Sequence, residues 1–277
     1  MQDAFAHCAE VVRQGDRDRY LTTLFAPAER RGALAALYAF NVEISRVREL
    51  AREPLPGEIR LQWWLDVLDG ERAEEATANP VAAGLLAAIE RYRLPPGKLA
   101  DIIEARRFDL YDEYLPHLAD LEIYASRTSS ALMALAAQIL GVDATAAAEP
   151  AGIAYGLAGL LRTFAVHAAR RQLYVPEELL KRHGAQAYDI FAGRTSPGLN
   201  AALADLRDLA RRHLAAAREN LSTLPVETLP AFLPVALVRP ALDQLDHADA
   251  FAPAELSPWW RQWLIWRAAR NPARIAA

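Results

Sequence analysis

Apolar residues recur at steps of three and four along most of the chain, which is the period of an amphipathic helix. The clearest case is 155–176, YGLAGLLRTFAVHAARRQLYVP. Pro176 closes this stretch because the residue before a proline is pushed out of the helical region. On one continuous helix the polar residues within the stretch would lie one turn apart and share a face. These residues are Thr163, His167 and either Arg170 or Arg171.

The same pattern predicts further helices, separated by proline and glycine breaks. The first predicted helix covers 3–24, with a break near Gly15 and an N-cap at Asp16, and the second runs from 27 to about Arg52, before a break at 53–57. The helix over 150–172 has Pro150 in its first turn, and the helix over 230–246 is interrupted at its prolines. The remaining predicted helices are 58–68, 79–93, 98–114, 118–140, 176–183, 199–221 and 257–270. No alternating β pattern and no fixed-period repeat occurs, so the chain is predicted to be all-α. Proline and glycine lie between the helices rather than in one linker, which predicts a single domain over 1–277.

Composition narrows the possible functions. The chain of 277 residues is 53% hydrophobic with a net charge of −4, so it can bury a sizeable core and gives no reason to expect nucleic-acid binding. Cys8 is the only cysteine, which excludes an internal disulfide and a cysteine-based zinc site. The start of the chain, with Asp3 and Glu10, does not resemble a targeting signal, and no window is apolar enough to span a membrane. We therefore expect a cytoplasmic protein, at most peripheral at the inner membrane face.

The predicted last helix, 257–270, combines four tryptophans with arginines in the sequence SPWWRQWLIWRAAR. At helical spacing Trp259, Trp263 and Trp266 share a face. Aromatic and basic residues together are typical of a membrane interface or a partner groove. They also suit a final helix that covers the core, so both interpretations stay open.

An acidic group lies near the end of the predicted helix 98–114. Asp109 with Asp112 or Glu113 spans a single turn, so these residues form either a carboxylate pair or solvated surface. No Ser-His-Asp or Cys-His arrangement can be singled out from spacing, and no glycine-rich phosphate loop occurs.

Two stretches resemble the squalene/phytoene synthase family. The first, 27–50 (PAERRGALAALYAFNVEISRVREL), is similar to a family segment in which Tyr-Ala-Phe precedes an aspartate-rich DxxxD motif. The second, 160–176, is similar to the family pattern LRDxxEDxxRxxxYxP and matches it at Arg162, Arg170, Tyr174 and Pro176. The resemblance extends over roughly 8–245 and implies the all-α isoprenoid synthase fold, a helical bundle around a central cavity.

In that family two aspartate motifs hold Mg²⁺, which neutralises the diphosphate of a prenyl substrate. Aligned with this chain, the first motif falls on Ser45 and Glu49, and the second falls on Thr163 and His167. Three of the four carboxylates are therefore absent. Glu43 and Glu49 are six residues apart and do not share a helical face, so no metal site and no cofactor are expected.

At the substituted positions the chain resembles a non-catalytic branch of the superfamily. This branch comprises the mitochondrial respiratory complex I assembly factors and their bacterial relatives. The matching segments are Phe40-Asn41-Val42-Glu43, Leu161-Arg162 followed by His167 and Arg170-Arg171, His183-Gly184, and Pro230-Ala231-Phe232-Leu233. This resemblance implies a catalytically degenerate protein that assists assembly of respiratory NADH dehydrogenase through contacts with its subunits or assembly intermediates. The lack of a presequence suggests a bacterial form. The alternative is a prenyl-diphosphate transferase that acts on farnesyl or geranylgeranyl diphosphate with an arginine-based site, and Mg²⁺ is expected only in that case.

The resemblance also supplies the candidate ligand-binding residues on the cavity wall. They are Tyr38, Asn41, Glu43, Ser45, Glu49, Arg162, Thr163, His167, Arg170, Arg171 and Tyr174. His167 is interpreted either as a ligand or proton-carrying group or as a hydrogen-bonded interior histidine. The arginines either clamp an anion directly or form ion pairs with Glu43 or Glu49.

Overall fold

The computed structural model describes residues 2–51, 53–252 and 254–276. Within these ranges the chain is helical and has no β-strand, with one isolated bridge between Tyr114 and Leu173. The all-α prediction is confirmed. None of the described helices is long and apolar enough to cross a membrane.

The α-helices are numbered in chain order. In the first part of the chain they are α1 (Gln2–Gly15), α2 (Arg17–Thr23), α3 (Ala28–Ser45), α4 (Val47–Leu50), α5 (Pro54–Leu68), α6 (Ala73–Ala78), α7 (Pro80–Tyr92) and α8 (Pro96–Arg107). They continue with α9 (Leu118–Ala125), α10 (Ala131–Ile139), α11 (Thr145–Arg162), α12 (Phe164–Ala169), α13 (Glu177–His183), α14 (Ala187–Phe191), α15 (Pro197–Ser222), α16 (Val238–Leu245) and α17 (Pro258–Arg270).

The chain divides into two compact units. The first comprises 1–111, 131–145 and 224–233, and the second comprises 112–130, 146–223 and 234–277. The single domain expected from the sequence stays a prediction. Each unit has its own buried core and its own share of the candidate residues.

Helix α3 is the centre of the first unit, where it packs against α1 and α7. Its residues from Ala33 to Val42 are all buried, with Phe40 completely shielded. The two predicted N-terminal boundaries nearby are confirmed by side-chain caps. Asp16 accepts a hydrogen bond from the Arg19 amide (3.0 Å), and Asn79 accepts from the amides of the first turn of α7.

The helix predicted to run from 27 to about Arg52 is shorter than expected. It ends at Ser45, and Arg46 (φ −101°, ψ 8°) separates α3 from α4. The Ser45 hydroxyl donates to the Val42 carbonyl (3.2 Å), a local bond that competes with the helical ladder. The predicted end at Arg52 lies outside the described residues.

Two further boundaries in the first unit were predicted wrongly. The expected break at 53–57 is largely helical, because Pro54 and Pro56 lie in the first turn of α5, where a missing N–H costs nothing. The helix expected to reach residue 114 ends at Arg107. Asp109 then lies in a 3-10 turn and pairs with Arg106 (3.1 Å), so the acidic group does not share a helix.

Helix α15 is the longest element of the second unit and packs against α13 and α16. Ser196 caps its start by accepting from the Leu199 amide (3.1 Å). Its buried residues recur at helical spacing, as predicted. The predicted end of α13 at Gly184 is also confirmed, since that glycine adopts a left-handed conformation (φ 68°).

The stretch that showed the clearest periodicity is not one helix. Helix α11 begins at Thr145, so Pro150 lies inside it rather than in its first turn. Asn220 donates to the Ala146 carbonyl (3.1 Å), the group that the missing proline N–H would have engaged. Thr163 (φ −99°, ψ 11°) interrupts the helix, and α12 ends at Ala169. The prediction of a continuous helix over 150–172 is therefore wrong.

Candidate functional site

The candidate residues fall into two groups, one in each unit. The first unit holds Tyr38, Asn41, Glu43, Ser45 and Glu49 on α3 and α4. The second unit holds Arg162, Thr163, His167, Arg170, Arg171 and Tyr174 on α11, on α12 and in the segment that follows. Each group is described within its own unit.

Glu43 is a half-buried carboxyl on α3. Burial raises the pKa of Glu43 above its ordinary value, while the positive charge of Arg60, the nearby His7 and a hydrogen bond from Trp64 oppose the shift. Burial therefore makes the charged form of this carboxyl more costly than it is in water. This is the opposite of the environment that a metal-binding aspartate motif provides.

Tyr38 and Asn41 lie deeper, with 2% and 6% of their surface exposed. The Arg19 guanidinium lies 5.6 Å from the centre of the Tyr38 ring. Oδ1 of Asn41 is buried and accepts no hydrogen bond from the residues that the structure describes. A buried amide oxygen in this state is the type of group that an internal water or a ligand donor satisfies.

Ser45 and Glu49 correspond to the first aspartate motif, and both make local contacts. The Ser45 hydroxyl donates to the Val42 carbonyl within α3. The Glu49 carboxylate accepts from Nε of Arg46 (3.0 Å) and is partly exposed. Arg46 interrupts the helix between the two positions, and the Glu49 amide donates to the Arg46 carbonyl (2.9 Å).

Thr163 and His167 correspond to the second motif. The Thr163 hydroxyl donates to the Gly159 carbonyl (2.8 Å), so it is engaged with its own helix. The His167 ring packs against the Tyr174 ring with 4.8 Å between centroids and 57° between planes. Tyr174 in turn contacts Tyr124 at 5.5 Å. His167 therefore belongs to an aromatic cluster rather than to a row of acidic ligands.

A small cavity adjoins this aromatic cluster. Its polar wall comprises His167, Gln172 and Tyr174, and its volume is about 20 Å³, enough for one water molecule. The apolar wall is formed by Leu121, Leu157, Leu160, Leu161, Phe164, Val175, Leu203 and Leu206. Gln172 was missed in the sequence, where it ends the polar run Arg170–Gln172 directly before the apolar run Leu173–Val175.

The candidate arginines of the second unit do not lie together on one helix. Arg162 is half-buried at the end of α11, whereas Arg170 and Arg171 follow α12 and are exposed. Arg171 adopts a left-handed conformation (φ 59°), and its guanidinium lies 5.0 Å from the Phe191 ring centre. The predicted face is only partly formed. The His167 amide donates to the Thr163 carbonyl (3.0 Å), so these two residues are one helical turn apart, but α12 ends at Ala169, before Arg170 and Arg171.

The donor set does not fit Mg²⁺. A hard divalent cation requires several carboxylate oxygens. Here the motif positions carry two hydroxyls that donate to backbone carbonyls, an imidazole packed against a tyrosine ring and one glutamate that is paired with an arginine. In the described part of the chain no three His, Cys, Asp or Glu side chains lie close enough together to hold a metal ion.

Helix α17 presents its tryptophans to the surface. The exposed fractions of Trp259, Trp260, Trp263 and Trp266 are 81%, 46%, 40% and 48%. The buried face of the helix consists instead of Leu264, Ile265 and Ala268. The helix thus covers the core with its aliphatic residues and leaves an aromatic surface outside.

The sequence of this chain is similar to those of several known proteins. The squalene/phytoene synthase family model matches residues 12–263. The chain is 32% identical over 250 residues to complex I assembly factor 6 of Rattus norvegicus, covering 89% of this chain and 75% of the relative. The human assembly factor is 31% identical over 246 residues, covering 88% and 74%. The 15-cis-phytoene synthase of Synechococcus elongatus is 24% identical over 283 residues, covering 95% and 91%.

Solved structures agree on the fold. A dehydrosqualene synthase in complex with a ligand superposes with a TM-score of 0.83 at 17% identity, covering 98% of this chain and 97% of the other. A squalene synthase from Alicyclobacillus acidocaldarius gives 0.71 at 22% identity, covering 97% and 94%. The predicted isoprenoid synthase-type fold is confirmed. Because the family model matches residues 12–263 and the fold agrees, the chain belongs to the squalene/phytoene synthase family.

Proposed function

We propose that this chain is a catalytically degenerate member of its family that assists assembly of respiratory NADH dehydrogenase. It acts through contacts with subunits or assembly intermediates, in a bacterial cell and at the inner face of the membrane. Relatives named complex I assembly factor 6 in four mammals are 30–32% identical to it, whereas the phytoene synthases of Synechococcus elongatus and Arabidopsis thaliana are 24–25% identical. This difference in similarity supports an assembly role.

The proposal rests on which residues occupy the four motif positions and on the hydrogen bonds that they make. Prenyl transfer in this family requires acidic ligands for Mg²⁺, and this chain has Ser45, Thr163 and His167 in place of three of them. The two hydroxyls are hydrogen-bonded to backbone carbonyls of their own helices. The first segment is interrupted at Arg46, between its two motif positions, whereas in the second the His167 amide still donates to the Thr163 carbonyl (3.0 Å).

An exposed apolar surface in the first unit suits the protein contacts that the proposal requires. Leu50, Leu55 and Ile59 are 56%, 69% and 62% exposed. Leu55 and Ile59 are four residues apart on α5 and therefore share a face. We refer to Leu50, Leu55 and Ile59 as the α4–α5 patch. Exposed aliphatic residues gathered on one face are typical of interaction surfaces.

The proposal is tested by deleting the gene in its own host. Mature NADH dehydrogenase is measured on native gels, together with NADH oxidation by isolated membranes, and squalene and phytoene are extracted from the same cells. We expect loss of the mature enzyme with unchanged isoprenoid products, and rescue by the unmodified gene. Normal NADH dehydrogenase in the deletion strain would contradict the assembly role.

A variant tests the patch in the same strain. Leu55→Asp with Ile59→Asp is expected to fail in rescue because two buried charges would be created at the interface. Val226→Asp is the matched control, since Val226 is 67% exposed and lies outside the patch. Both variants must accumulate to the level of the unmodified protein. Equal rescue by both variants and the unmodified gene would exclude the α4–α5 patch as the contact surface.

A further inference from the structure

A second, larger cavity lies in the second unit, away from the aromatic cluster. Its volume is about 260 Å³, and α16, α17 and the 3-10 turn Pro272–Arg274 contribute to its wall. The lining residues are Ala236, Arg239, Pro240, Asp243, Trp260, Leu264, Arg267 and Arg274. Its size is just below the ~300–1,000 Å³ typical of small-ligand sites, so it suits a head group rather than a large cofactor.

The wall of this cavity is strongly basic. Three arginines face one carboxylate, that of Asp243. Arg239 approaches Asp243 only at 3.9 Å, and Asp243 is also approached by Arg211 at 3.8 Å, so its charge is shared. The cavity therefore keeps an excess of positive charge.

One of these arginines, Arg267, has a nitrogen atom without a hydrogen-bond acceptor in the described part of the chain. Its Nε is buried and has no hydrogen-bond partner among the described residues. Its guanidinium lies 4.5 Å from the centre of the Trp263 ring, and this contact limits its freedom. A buried guanidinium that lacks an acceptor for one of its donors leaves its positive charge incompletely compensated by the protein.

Arg274 is positioned by the turn that carries it. The Asn271 side chain accepts a hydrogen bond from the Ala273 amide (3.2 Å) and caps the turn Pro272–Arg274. Arg239 and Arg267 stand on α16 and α17, and all three residues line the same space. Guanidinium groups are permanently charged and match the oxygens of a phosphate group with paired donors.

We propose that this cavity binds the phosphate group of a phosphomonoester or phosphodiester. The site is new relative to the proposed function, which does not require it. Trp260 in the wall, and the exposed tryptophans on the same helix, would lie beside the organic part of the ligand. The phosphate could belong to a lipid head group or to a small soluble ester, and the two sources share the same recognition chemistry.

The experiment measures both sources with the full-length protein. Calorimetry with glycerol 3-phosphate reports soluble phosphate esters. Flotation with vesicles of phosphatidylcholine, with and without phosphatidylglycerol, reports lipid phosphates. We expect saturable binding to at least one of these probes. Binding to the ester identifies a soluble source, and binding to vesicles identifies a lipid source, which is an anionic head group if phosphatidylglycerol is required.

The variant Arg239→Gln with Arg274→Gln removes two exposed lining arginines without disturbing a buried side chain. We expect it to weaken binding by about ten-fold or more, because each charge-assisted hydrogen bond contributes on the order of a ten-fold change in affinity. Arg17→Gln with Arg91→Gln removes the same formal charge from exposed positions that do not line the cavity, and it should bind as the unmodified protein does. The proposal is overturned by absence of binding to both probes, by unchanged binding in the first variant, or by equal loss in the control.

Discussion

At the scale of single residues, the surroundings of Glu43 set its charge. Burial raises the pKa of this carboxyl above the ordinary value of 4.5, and the opposing influence of Arg60, His7 and Trp64 does not reverse the direction. An acid whose folded-state pKa is raised binds its proton more tightly in the native state. Its contribution to stability is present at low pH and is lost as pH rises through the folded pKa.

Glu43→Gln should therefore gain stability relative to the unmodified protein as pH rises. The neutral amide has a similar shape and does not pay the cost of a buried charge. Urea unfolding of both proteins at several pH values, starting near 4.5, measures the difference in the free energy of unfolding. A difference that does not change with pH would show that Glu43 does not titrate differently in the folded state.

Cys8 provides a second prediction at this scale. The side chain is completely buried, and burial, with the nearby charge of Glu43, raises the pKa of the thiol to about 12. Since the thiolate is the reactive species, native protein should resist iodoacetamide at neutral pH and react fully once unfolded in guanidinium. Mass spectrometry of both samples measures the label. Rapid stoichiometric labelling of the native protein would contradict this burial.

At the scale of elements, helix starts and ends were predictable where one local residue determines them. Asp16 and Asn79 cap their helices, and Gly184 ends α13 with a positive φ. The breaks at Arg46 and Thr163 were missed because apolar periodicity continues across them. A hydroxyl that bonds to its own helix leaves no trace in a hydrophobic pattern, so these interruptions follow from local hydrogen bonding and tertiary packing.

The close approach of α11 to the π-helical segment Ser126–Ser130 gives a prediction at this scale. A Cβ placed on Gly152 would lie 2.3 Å from Cα of Ser130, whose backbone cannot easily move. Gly152→Ala should lower the free energy of unfolding by about 1–3 kcal/mol. Denaturant unfolding monitored by circular dichroism measures the change.

Gly159→Ala is the matched control on the same helix. No atom lies within 4 Å of a Cβ built at this position. Alanine is the better helix former there, so this variant should gain about 0.5–1 kcal/mol. Equal effects at the two glycines would contradict the proposed contact between α11 and the π-helical segment.

At the scale of the whole molecule, the family could be recognised from two motif segments, and the all-α fold follows from periodicity. For the candidate site, the sequence could predict which residues to consider but not which of them lie together. His167 and Tyr174 do line a cavity, but Gln172, Arg239 and Arg274 drew no attention in the sequence. Cavities are formed by residues from several helices, and their charge balance depends on packing that no local pattern encodes.

Release of diphosphate measures directly whether this chain has lost prenyl-transfer chemistry, as we propose. Purified protein, shown to be folded by circular dichroism, is incubated with farnesyl or geranylgeranyl diphosphate, Mg²⁺ and NADPH, beside the phytoene synthase of Synechococcus elongatus as a positive control. A variant with Thr163→Asp and His167→Asp is measured in parallel. We predict no release above background by either protein, because Ser45 still lacks a carboxylate and the helix still breaks at Arg46. Sustained release of diphosphate by the unmodified chain would contradict the account.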